Sequence, residues 1–350
     1  MKIIFQNTIY SPDELNQLSK TYLGSQPLCQ FISHWLEGHS DFTFQTSGST
    51  GIPKNISVQR RQIEASVHAT ADFLNLKASD QVLLCLNPQY IASIMMAARA
   101  LVLDMDLYIQ APSANPLTTL NHTIDFASFV PFQIYQMIQE NSILQLEGIK
   151  NVLIGGAPLN QETFDILSSL NNNCYLTYGM TETVSHIALM KISGDYQQAC
   201  YDVLDGIKIG NNDEQCLQIQ GVVTNDQWIQ TTDVVELISE RQFRWLGRAD
   251  HVINSGGIKI HPEQLEKYLS SLITTGEFFI GGISDSKLNE RCVLVTESPM
   301  SPDKFVQIQE SVAEHFSKHH VPKAYFHLPT FIKTESGKLK RKEMLVQIEK

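Results

Sequence analysis

The chain has 350 residues, of which 43% are hydrophobic and 18% are charged, and its formal net charge at pH 7 is −11. This composition is typical of a globular protein, and the length favours two domains over one or three. A surface that binds nucleic acid needs an excess of basic residues, so the negative charge argues against a nucleic-acid partner.

Neither the N-terminal residues nor the most apolar segment indicates export or a membrane. Residues 1–10 lack the charged-then-apolar pattern of a signal peptide. Residues 90–109 are the most apolar stretch, but they carry Arg99, Asp104 and Asp106, which disfavour a membrane span. The six cysteines form no C-x-x-C pair, as expected of reduced thiols rather than of disulfides or a zinc site. We therefore expect a cytoplasmic protein without a membrane partner.

Hydroxyl side chains, glycines and one lysine are concentrated in a short stretch near the N-terminus. Apolar residues alternate with polar ones before and after it, which predicts the tip of a β-hairpin. Backbone N–H groups, hydroxyls and a cation can together surround phosphate oxygens. A P-loop is excluded because Asn55 follows the lysine where Ser or Thr is needed. An ordinary Ser/Gly turn is the alternative. The residues that would contact phosphate are Thr46, Ser47, Gly48, Ser49, Thr50, Gly51 and Lys54.

Strands and helices are predicted to alternate over the next part of the chain. This order indicates a mostly parallel sheet flanked by helices, with ligands at the carboxyl ends of the strands. The predicted helices span residues 62–74, 91–103 and 161–170, and the predicted strands span 82–86, 107–109, 125–130, 152–154 and 175–178.

The pattern changes twice after this alternation. Short strands without helices between residues 207 and 246 predict a small antiparallel β region. After Gly247, a Gly-rich turn, a helix from His261, two strands and a helix over 302–318 predict a small α+β domain. We therefore predict an α/β fold with domains at 1–249 and 250–350.

Several polar motifs follow the predicted strands. The strand of residues 175–178 is predicted to break at Gly179 and to expose Thr181 and Glu182. A carboxylate beside a phosphate loop suits Mg²⁺, which needs only one or two protein oxygens. Gly155, Gly156 and Ala157 allow a flat base to lie close to the backbone and stack on Tyr178. A Gly-Pro turn and a glutamate at a helix start are the alternatives.

Two further motifs lie in the second half of the chain. A carboxylate such as that of Asp233 can accept two ribose hydroxyls, and an arginine such as Arg248 can bind ribose or phosphate. Lys338 follows a flexible glycine within a basic tail, and charge alone would favour a solvated tail.

Taken together, these motifs resemble the adenylate-forming acyl-CoA synthetase superfamily in order and relative placement, from about Phe42 onward. Weaker similarities indicate the o-succinylbenzoate–CoA ligases of menaquinone biosynthesis within it. These similarities lie in residues 130–133, 155–159 and 178–183 and in the short length.

The resemblance implies a two-step ligase reaction. A carboxylic acid attacks Mg-ATP to give acyl-AMP and pyrophosphate, and the thiol of coenzyme A then displaces AMP. By the same resemblance, the hairpin loop holds phosphates, Glu182 holds Mg²⁺, and residues 155–157 with Tyr178 contact adenine. Asp233 and Arg248 contact ribose, and Lys338 bridges carboxylate and α-phosphate in the first step only.

The resemblance also implies movement of the small domain. Asp250 matches the hinge position, where the backbone rotates so that Lys338 enters the site for one step only. Gly256, Gly257 and Lys259 would line the entry of coenzyme A, because glycine leaves room for its pantetheine arm.

Three features depart from the family pattern. Thr232 precedes Asp233 where glycine is usual, and Asn254 stands where many members carry lysine. The family's long N-terminal subdomain is almost missing, so we expect a second subunit of a homodimer to complete the pocket.

The acyl pocket is predicted at Tyr90 and the helix after it, and at Gly179. Arg99 lies alone in an apolar helix and could bind a second carboxylate of the substrate. The alternative is a structural ion pair with Asp104 or Asp106, or a side chain that reaches the surface.

Two alternatives to the leading function stay open. One is a ligase for another acid, or for a carrier-protein thiol. The other is a nucleotide-binding subunit without catalysis, against which the presence of both Glu182 and Lys338 argues.

Overall fold

The computed structural model describes residues 1–11, 14–45, 54–194, 198–333 and 339–349. The helices in these residues are α1 (Leu15–Thr21), α2 (Gln26–Leu36), α3 (Arg60–Leu74), α4 (Ile91–Leu103), α5 (Pro131–Gln139), α6 (Gln161–Ser168), α7 (Pro262–Leu269), α8 (Pro302–His315) and α9 (Arg341–Ile348). The strands are β1 (Ile3–Phe5), β2 (Thr8–Tyr10), β3 (Asp41–Gln45), β4 (Asn55–Gln59), β5 (Gln81–Leu84), β6 (Asp106–Ile109), β7 (Ile124–Phe129), β8 (Ile149–Ile154), β9 (Asn173–Met180), β10 (Ser185–Lys191), β11 (Tyr201–Val203), β12 (Ile207–Asn211), β13 (Cys216–Gly221), β14 (Ile229–Ser239), β15 (Gln242–Arg248), β16 (Ile253–Ser255), β17 (Ile258–Ile260), β18 (Phe278–Asp285), β19 (Asn289–Thr296) and β20 (Ala324–His327).

A 13-stranded sheet organises the first part of the chain, in the spatial order β12-β13-β14-β15-β11-β10-β9-β8-β7-β5-β6-β1-β2. Neighbours are parallel from β1 through β6, β5, β7 and β8 to β9, and antiparallel beyond β9. This arrangement confirms the predicted parallel sheet with an added antiparallel β region. The N-terminal strands β1 and β2, which the sequence did not reveal, extend this edge of the sheet, with β1 parallel to β6 and β2 antiparallel to β1.

Helices cover both faces of this sheet because alternate strand residues point to opposite sides. Val82 and Leu84 of β5 join the apolar cluster formed with α1 to α4, whereas Leu83 joins the cluster formed with α5 and α6. Alanines 97, 98 and 100 of α4 are fully buried, and their small side chains let this helix pack closely on the sheet.

A separate five-stranded sheet follows Asp250. Its order is β17-β16-β19-β18, with β20 parallel to β19. Helices α7 and α8 pack on one face and α9 packs on the other. The predicted α/β fold with a small α+β region at its C-terminal end is thereby confirmed, while the boundary at 249/250 and the mobility of this region stay predictions.

None of the described helices combines the length and apolarity that crossing a bilayer would require. All six cysteines are free thiols, as expected.

Candidate functional site

Two paired strands flank the predicted phosphate loop in the sequence. Strands β3 and β4 pair antiparallel up to Gln45 and Asn55, which confirms the predicted hairpin base. Thr46, Ser47, Gly48, Ser49, Thr50 and Gly51 lie outside the described residues. Lys54 is exposed and directly precedes β4. Contact of this loop with phosphate stays a prediction.

The predicted adenine contact begins where β8 ends. The N–H of Gly155 donates to the carbonyl of Phe129 at 3.1 Å. A Cβ atom at Gly155 would lie 2.1 Å from Oγ1 of Thr177, so no larger residue fits beside β9. Gly156 has a φ of +95°, which favours glycine, and Ala157 is exposed. The backbone is therefore accessible at this strand end, as an adenine contact requires.

The prediction that the next strand breaks at Gly179 is wrong. Strand β9 continues to Met180, and a Cβ atom at Gly179 would lie 2.2 Å from the carbonyl oxygen of Ser185 on β10. Close packing of the two strands therefore accounts for this glycine, and its contact with substrate stays a prediction. Thr181 and Glu182 begin the single 3₁₀ turn after β9, where Glu182 is exposed as predicted.

Magnesium fits the side chains of this turn. A carboxylate and a hydroxyl, offered by Glu182 and Thr181, are oxygen ligands of the kind that Mg²⁺ accepts alongside water and phosphate oxygens. The exposure of Glu182 leaves its carboxylate open to such a ligand.

Asp233 lies at the centre of a hydrogen-bonded cluster. The hydroxyl of Tyr178 donates to its Oδ2 at 2.7 Å, and Nε1 of Trp245 donates to its Oδ1 at 3.2 Å. Nη1 of Arg248 lies 4.0 Å from Oδ1. The structure thus brings together three residues predicted separately for adenine and ribose. Trp245 was missed, although it lies on β15 three residues before Arg248.

The ring of Tyr178 is fixed by its neighbours. It meets Tyr201 and Phe243 edge to face, with centroids 5.8 and 5.1 Å away. Burial, followed by the charge and hydrogen bond of Asp233, raises the pKa of Tyr178 well above its usual value. Tyr178 therefore stays a neutral hydrogen-bond donor to Asp233, and this orients the carboxylate.

Arg248 connects this cluster to the predicted hinge. Its Nε and Nη2 donate to the two carboxylate oxygens of Asp250 at 2.9 and 3.2 Å. Burial disfavours the charged carboxylate, but the hydrogen bonds from Arg248 outweigh it and lower the pKa of Asp250. The closest partner of Arg248 is thus Asp250, the predicted hinge residue, rather than Asp233, and sequence reasoning did not foresee this contact.

A second contact lies directly after the predicted hinge residue. Oε1 of Glu263, at the start of α7, lies 2.6 Å from Nδ1 of His251. A Cβ atom at Gly247 would lie 2.4 Å from Oε2 of Glu263, so the carboxylate fills the space of a missing side chain.

Thr232, one departure from the family pattern, lies inside β14. An extended strand accommodates any side chain, so the backbone at this position does not require glycine.

The predicted coenzyme A surface is a tight hairpin. Ser255 pairs with Ile258 across a two-residue turn in which Gly256 and Gly257 have φ values of +59° and +84°. Two positive φ values are those of a type I′ turn, which favours glycine. Lys259 is exposed on β17 next to this turn. The turn explains the glycines, and their contact with coenzyme A stays a prediction.

Arg99 is almost completely buried, with 1% of its surface exposed. Nη2 donates to Oγ1 of Thr70 at 3.3 Å, and the guanidinium carbon lies 5.9 Å from the ring centre of Phe126. Nε has no hydrogen-bond partner among the described residues. Burial lowers the pKa of Arg99 to about 10, so the side chain is still charged at neutral pH.

The two alternatives expected for Arg99, an ion pair with Asp104 or Asp106 and a side chain that reaches the surface, are wrong. Asp104 pairs with the amino group of Met1, and Asp106 accepts the backbone N–H of Lys2 at 2.8 Å. Within the described residues, no carboxylate forms an ion pair with Arg99, and its side chain does not reach the surface. The guanidinium is therefore a buried cation whose counter-charge is missing from this part of the chain.

Hydrogen bonds link Arg99 to the predicted acyl pocket. Oγ1 of Thr70 contacts Nε2 of His186 at 3.0 Å, and His186 is the strand partner of Gly179. Tyr90 is the N-cap of α4, about 13 Å from Arg99 along the helix axis. Gly179 and Arg99 are thus connected by Thr70 and His186. Tyr90, in contrast, lies at the N-terminal end of α4, away from Arg99. Sequence reasoning missed Thr70 because a threonine within a helix carries no motif.

Lys338 lies outside the described residues, so its place relative to this site stays a prediction.

Comparison with known proteins identifies the family of this chain. The model of the family described as AMP-binding enzyme matches residues 42–216. An acyl-CoA synthetase (AMP-forming)/AMP-acid ligase II-like protein from Dyadobacter fermentans is 36% identical, covers 95% of this chain and 98% of its own, and has a TM-score of 0.64.

Two further relatives are ligases named for the same acid, which is written 2-succinylbenzoate in one name and o-succinylbenzoate in the other. The 2-succinylbenzoate–CoA ligase of Escherichia coli K12 is 24% identical over 85% of this chain and 67% of that protein. The o-succinylbenzoate CoA synthetase of Bacillus subtilis is 23% identical over 86% of this chain and 68% of its own, with a TM-score of 0.72. The predicted resemblance is confirmed, and the chain belongs to the family of AMP-binding enzymes.

Proposed function

We propose that this protein is an AMP-forming acid–CoA ligase. The carboxylate of the acid attacks the α-phosphate of ATP, so that a C–O–P bond forms and pyrophosphate leaves. The thiol of coenzyme A then attacks the acyl carbon, loses its proton and displaces AMP. Membership of the AMP-binding enzymes and similarity to an AMP-forming acyl-CoA synthetase-like protein along nearly its whole length support this reaction.

We propose o-succinylbenzoate as the acid. The observation that carries this choice is the buried guanidinium of Arg99, which lacks a carboxylate among the described residues. A buried cation is stabilised by an anion that enters with the ligand, and o-succinylbenzoate has a second carboxylate besides the reacting one. The Bacillus subtilis relative has been solved in complex with the acyl-adenylate intermediate OSB-AMP, and the curated relatives bear the name of this ligase.

Asp233 would accept the ribose hydroxyls. Tyr178 and Trp245 hold its carboxylate in one orientation before the nucleotide arrives, so little ordering is needed on binding. Residues 155–157 offer backbone beside an adenine ring. Glu182 and Thr181 would hold Mg²⁺, which neutralises phosphate charge when it is bound.

The hinge and the tail lysine extend this proposal. Lys338 would neutralise charge where the acid meets the α-phosphate, and a rotation at Asp250 would bring it in and out. Arg248 contacts Asp250 and lies 4.0 Å from Asp233, so ribose binding and hinge conformation share one side chain. Gly256, Gly257 and Lys259 would face the pantetheine arm.

A homodimer belongs to the same proposal, because the pocket would then gain a wall from a second subunit. Light scattering at working concentration tests it, and a monomer at the concentration of full activity contradicts it.

The first experiment measures pyrophosphate release with a panel of acids. We expect o-succinylbenzoate to give the highest kcat/KM, and 4-oxo-4-phenylbutanoate, which lacks the ring carboxylate, to react far more slowly. Thioester formation with coenzyme A is then compared with that on a carrier protein. Equal rates for the two acids would refute the assignment of o-succinylbenzoate, and absence of pyrophosphate release with every acid would refute the ligase.

Lys338→Ala separates the two steps. We expect it to abolish adenylate formation and to spare thioester formation from supplied acyl-AMP, since the lysine acts only where carboxylate and α-phosphate meet. Equal loss of both steps contradicts the role proposed for Lys338.

A further inference from the structure

The end of helix α2 is closed by a turn of defined geometry. Gly38 has a φ of +81°, its N–H donates to the carbonyl of Trp35 at 3.2 Å, and the N–H of His39 donates to the carbonyl of His34 at 3.0 Å. These two bonds and the left-handed glycine define a Schellman motif, with Glu37 as the C-cap. The backbone positions of residues 34–39 are therefore fixed by hydrogen bonds.

In a Schellman motif, one hydrogen bond joins residues five positions apart, here His34 and His39. The side chains of these two residues meet and are commonly apolar. Here both are histidines. The rings of His34 and His39 lie parallel, with centroids 4.3 Å apart and an interplanar angle of 9°. Oε2 of Glu37 lies 3.2 Å from Nε2 of His39. The turn thus gathers two imidazoles and one carboxylate.

We propose that His34, Glu37 and His39 form a site for a divalent transition-metal ion, with zinc as its most suitable occupant. One ligand atom from each side chain lies within 4.8 Å of the other two. Two imidazole nitrogens and one carboxylate oxygen are ligands that zinc prefers, whereas magnesium and calcium prefer oxygen alone. Water would complete a tetrahedral site.

Only side-chain rotation separates this arrangement from a coordinated one. Bonds of 2.0–2.2 Å to a tetrahedral ion place ligand atoms about 3.3 Å apart. The side chains of His39 and Glu37 are 45% and 62% exposed, so they can turn without disturbing the core. The negative end of the dipole of α2, an 11-residue helix, also favours a cation at this position.

An ion at this site would stabilise the base of the β3–β4 hairpin. Arg60, the first residue of α3, donates from Nε to the carbonyl of His39 at 3.2 Å and from its backbone N–H to Ser40 at 2.7 Å. Its guanidinium lies 3.9 Å from the ring centre of Trp35. The turn lies between α2 and β3 in sequence, and Arg60 ties it to the start of α3, directly after β4. Binding to the native state alone raises stability.

The test is a zinc titration of the full chain after removal of metal, without nucleotide, against a chromophoric chelator. We expect one equivalent to bind and the Tm to rise until the site is full. His34→Ala and His39→Ala should each weaken binding by at least about tenfold, since even outer-shell changes cost this much. Glu37→Gln should weaken it less.

His122→Ala is the matched control. His122 is also exposed and packs against an aromatic ring, that of Tyr108, with centroids 4.7 Å apart. This variant should bind zinc as the unaltered protein does. Circular dichroism checks that each variant folds, and the spectrum of bound Co²⁺ reports nitrogen ligation independently. Absence of zinc binding, or equal affinity in the His34→Ala and His39→Ala variants, would overturn the proposal.

Discussion

Two charged side chains, the partly buried Asp233 and the fully buried Arg99, differ in how their surroundings satisfy them. Asp233 accepts hydrogen bonds from Tyr178 and Trp245, and Arg248 lies 4.0 Å away. Arg99 donates hydrogen bonds to two uncharged acceptors, the hydroxyl of Thr70 and the sulfur of Met96, and its Nε has no partner in the described part of the chain. The first cluster is complete before any ligand binds, whereas the second lacks an anion.

Burial of the Arg99 guanidinium without a carboxylate costs free energy. A fall in the pKa of Arg99 from near 12.5 to about 10 corresponds to roughly 3 kcal/mol that burial costs the charged form. A carboxylate that arrives with substrate can offset this cost at the moment of binding. The carboxylate of Asp233 already accepts two hydrogen bonds, so the role we propose for its neighbours is to orient an acceptor, and the role we propose for Arg99 is to select a charged substrate.

The largest effect is expected from Asp233→Ala. The variant removes the proposed acceptor for two ribose hydroxyls and leaves the hydroxyl of Tyr178 and the indole N–H of Trp245 without a partner at Asp233. Loss of two hydrogen bonds to a charged group is worth roughly 4 kcal/mol, or about 1,000-fold in nucleotide affinity. Isothermal titration with ATP measures it.

Asp205→Ala is the control for this variant, because Asp205 is exposed and, among the described residues, forms its ion pair with Arg241 on the surface. It should leave ATP affinity unchanged. Nucleotide affinity retained in Asp233→Ala would show that the complete cluster serves the fold and not the ribose.

Arg99→Met sharpens the comparison because stability and activity should move in opposite directions. The methionine fills much of the same volume without a buried charge, so the free energy of unfolding should stay equal or rise. Loss of a charge pair with the substrate, worth roughly 3 kcal/mol, should lower kcat/KM for o-succinylbenzoate by about 100-fold.

Arg99→Lys and a second acid provide the controls. The lysine keeps the charge but not the forked geometry, so its activity should be intermediate. The rate with 4-oxo-4-phenylbutanoate should change little in either variant. Equal losses with both acids, or marked destabilisation of Arg99→Met, would mean that the guanidinium is structural.

The contrast between these residues also shows which features of the protein can be predicted from sequence. The alternation of strands and helices predicted the parallel sheet, and the helix predicted over 91–103 spans Ile91–Leu103. The motif residues at strand ends were predicted from their chemistry. The hydrogen bond between Tyr178 and Asp233 was not, because it joins residues 55 positions apart.

The predicted alternative, an ion pair of Arg99 with Asp104 or Asp106, is wrong for a specific reason. Asp104 and Asp106 follow Arg99 closely in sequence, but both are engaged by residues of the N-terminal strand edge, Met1 and Lys2. Strand β1 has three residues, which is too short to show a period. Without that strand, the sequence could not show that these acids already had partners.

Thr70→Val tests the link between Arg99 and the sheet with a smaller effect. The variant removes the hydroxyl that accepts from Nη2 of Arg99 and contacts Nε2 of His186. A buried donor left without its acceptor costs about 1–3 kcal/mol, so urea unfolding should show a loss of this size. In Arg99→Met, the same substitution should cost less, since one of the two partners is gone. An identical cost in both backgrounds would show that the Arg99 hydrogen bond contributes nothing.

The smallest effect concerns the pH dependence that His186 confers. Burial, and then the charge of Arg99, hold the pKa of His186 well below its usual value. The unfolded chain therefore binds a proton below about pH 6.5 that the native protein does not, so acidification from pH 7.5 to 5.5 should destabilise the protein by roughly 1 kcal/mol through this group. His186→Gln removes the titrating group, and urea unfolding of both proteins at both pH values should show a smaller pH-dependent loss in the variant. In an Arg99→Met background, His186 is freed from the neighbouring charge, so its contribution should shrink. An unchanged contribution in that background would show that burial alone sets the pKa of His186.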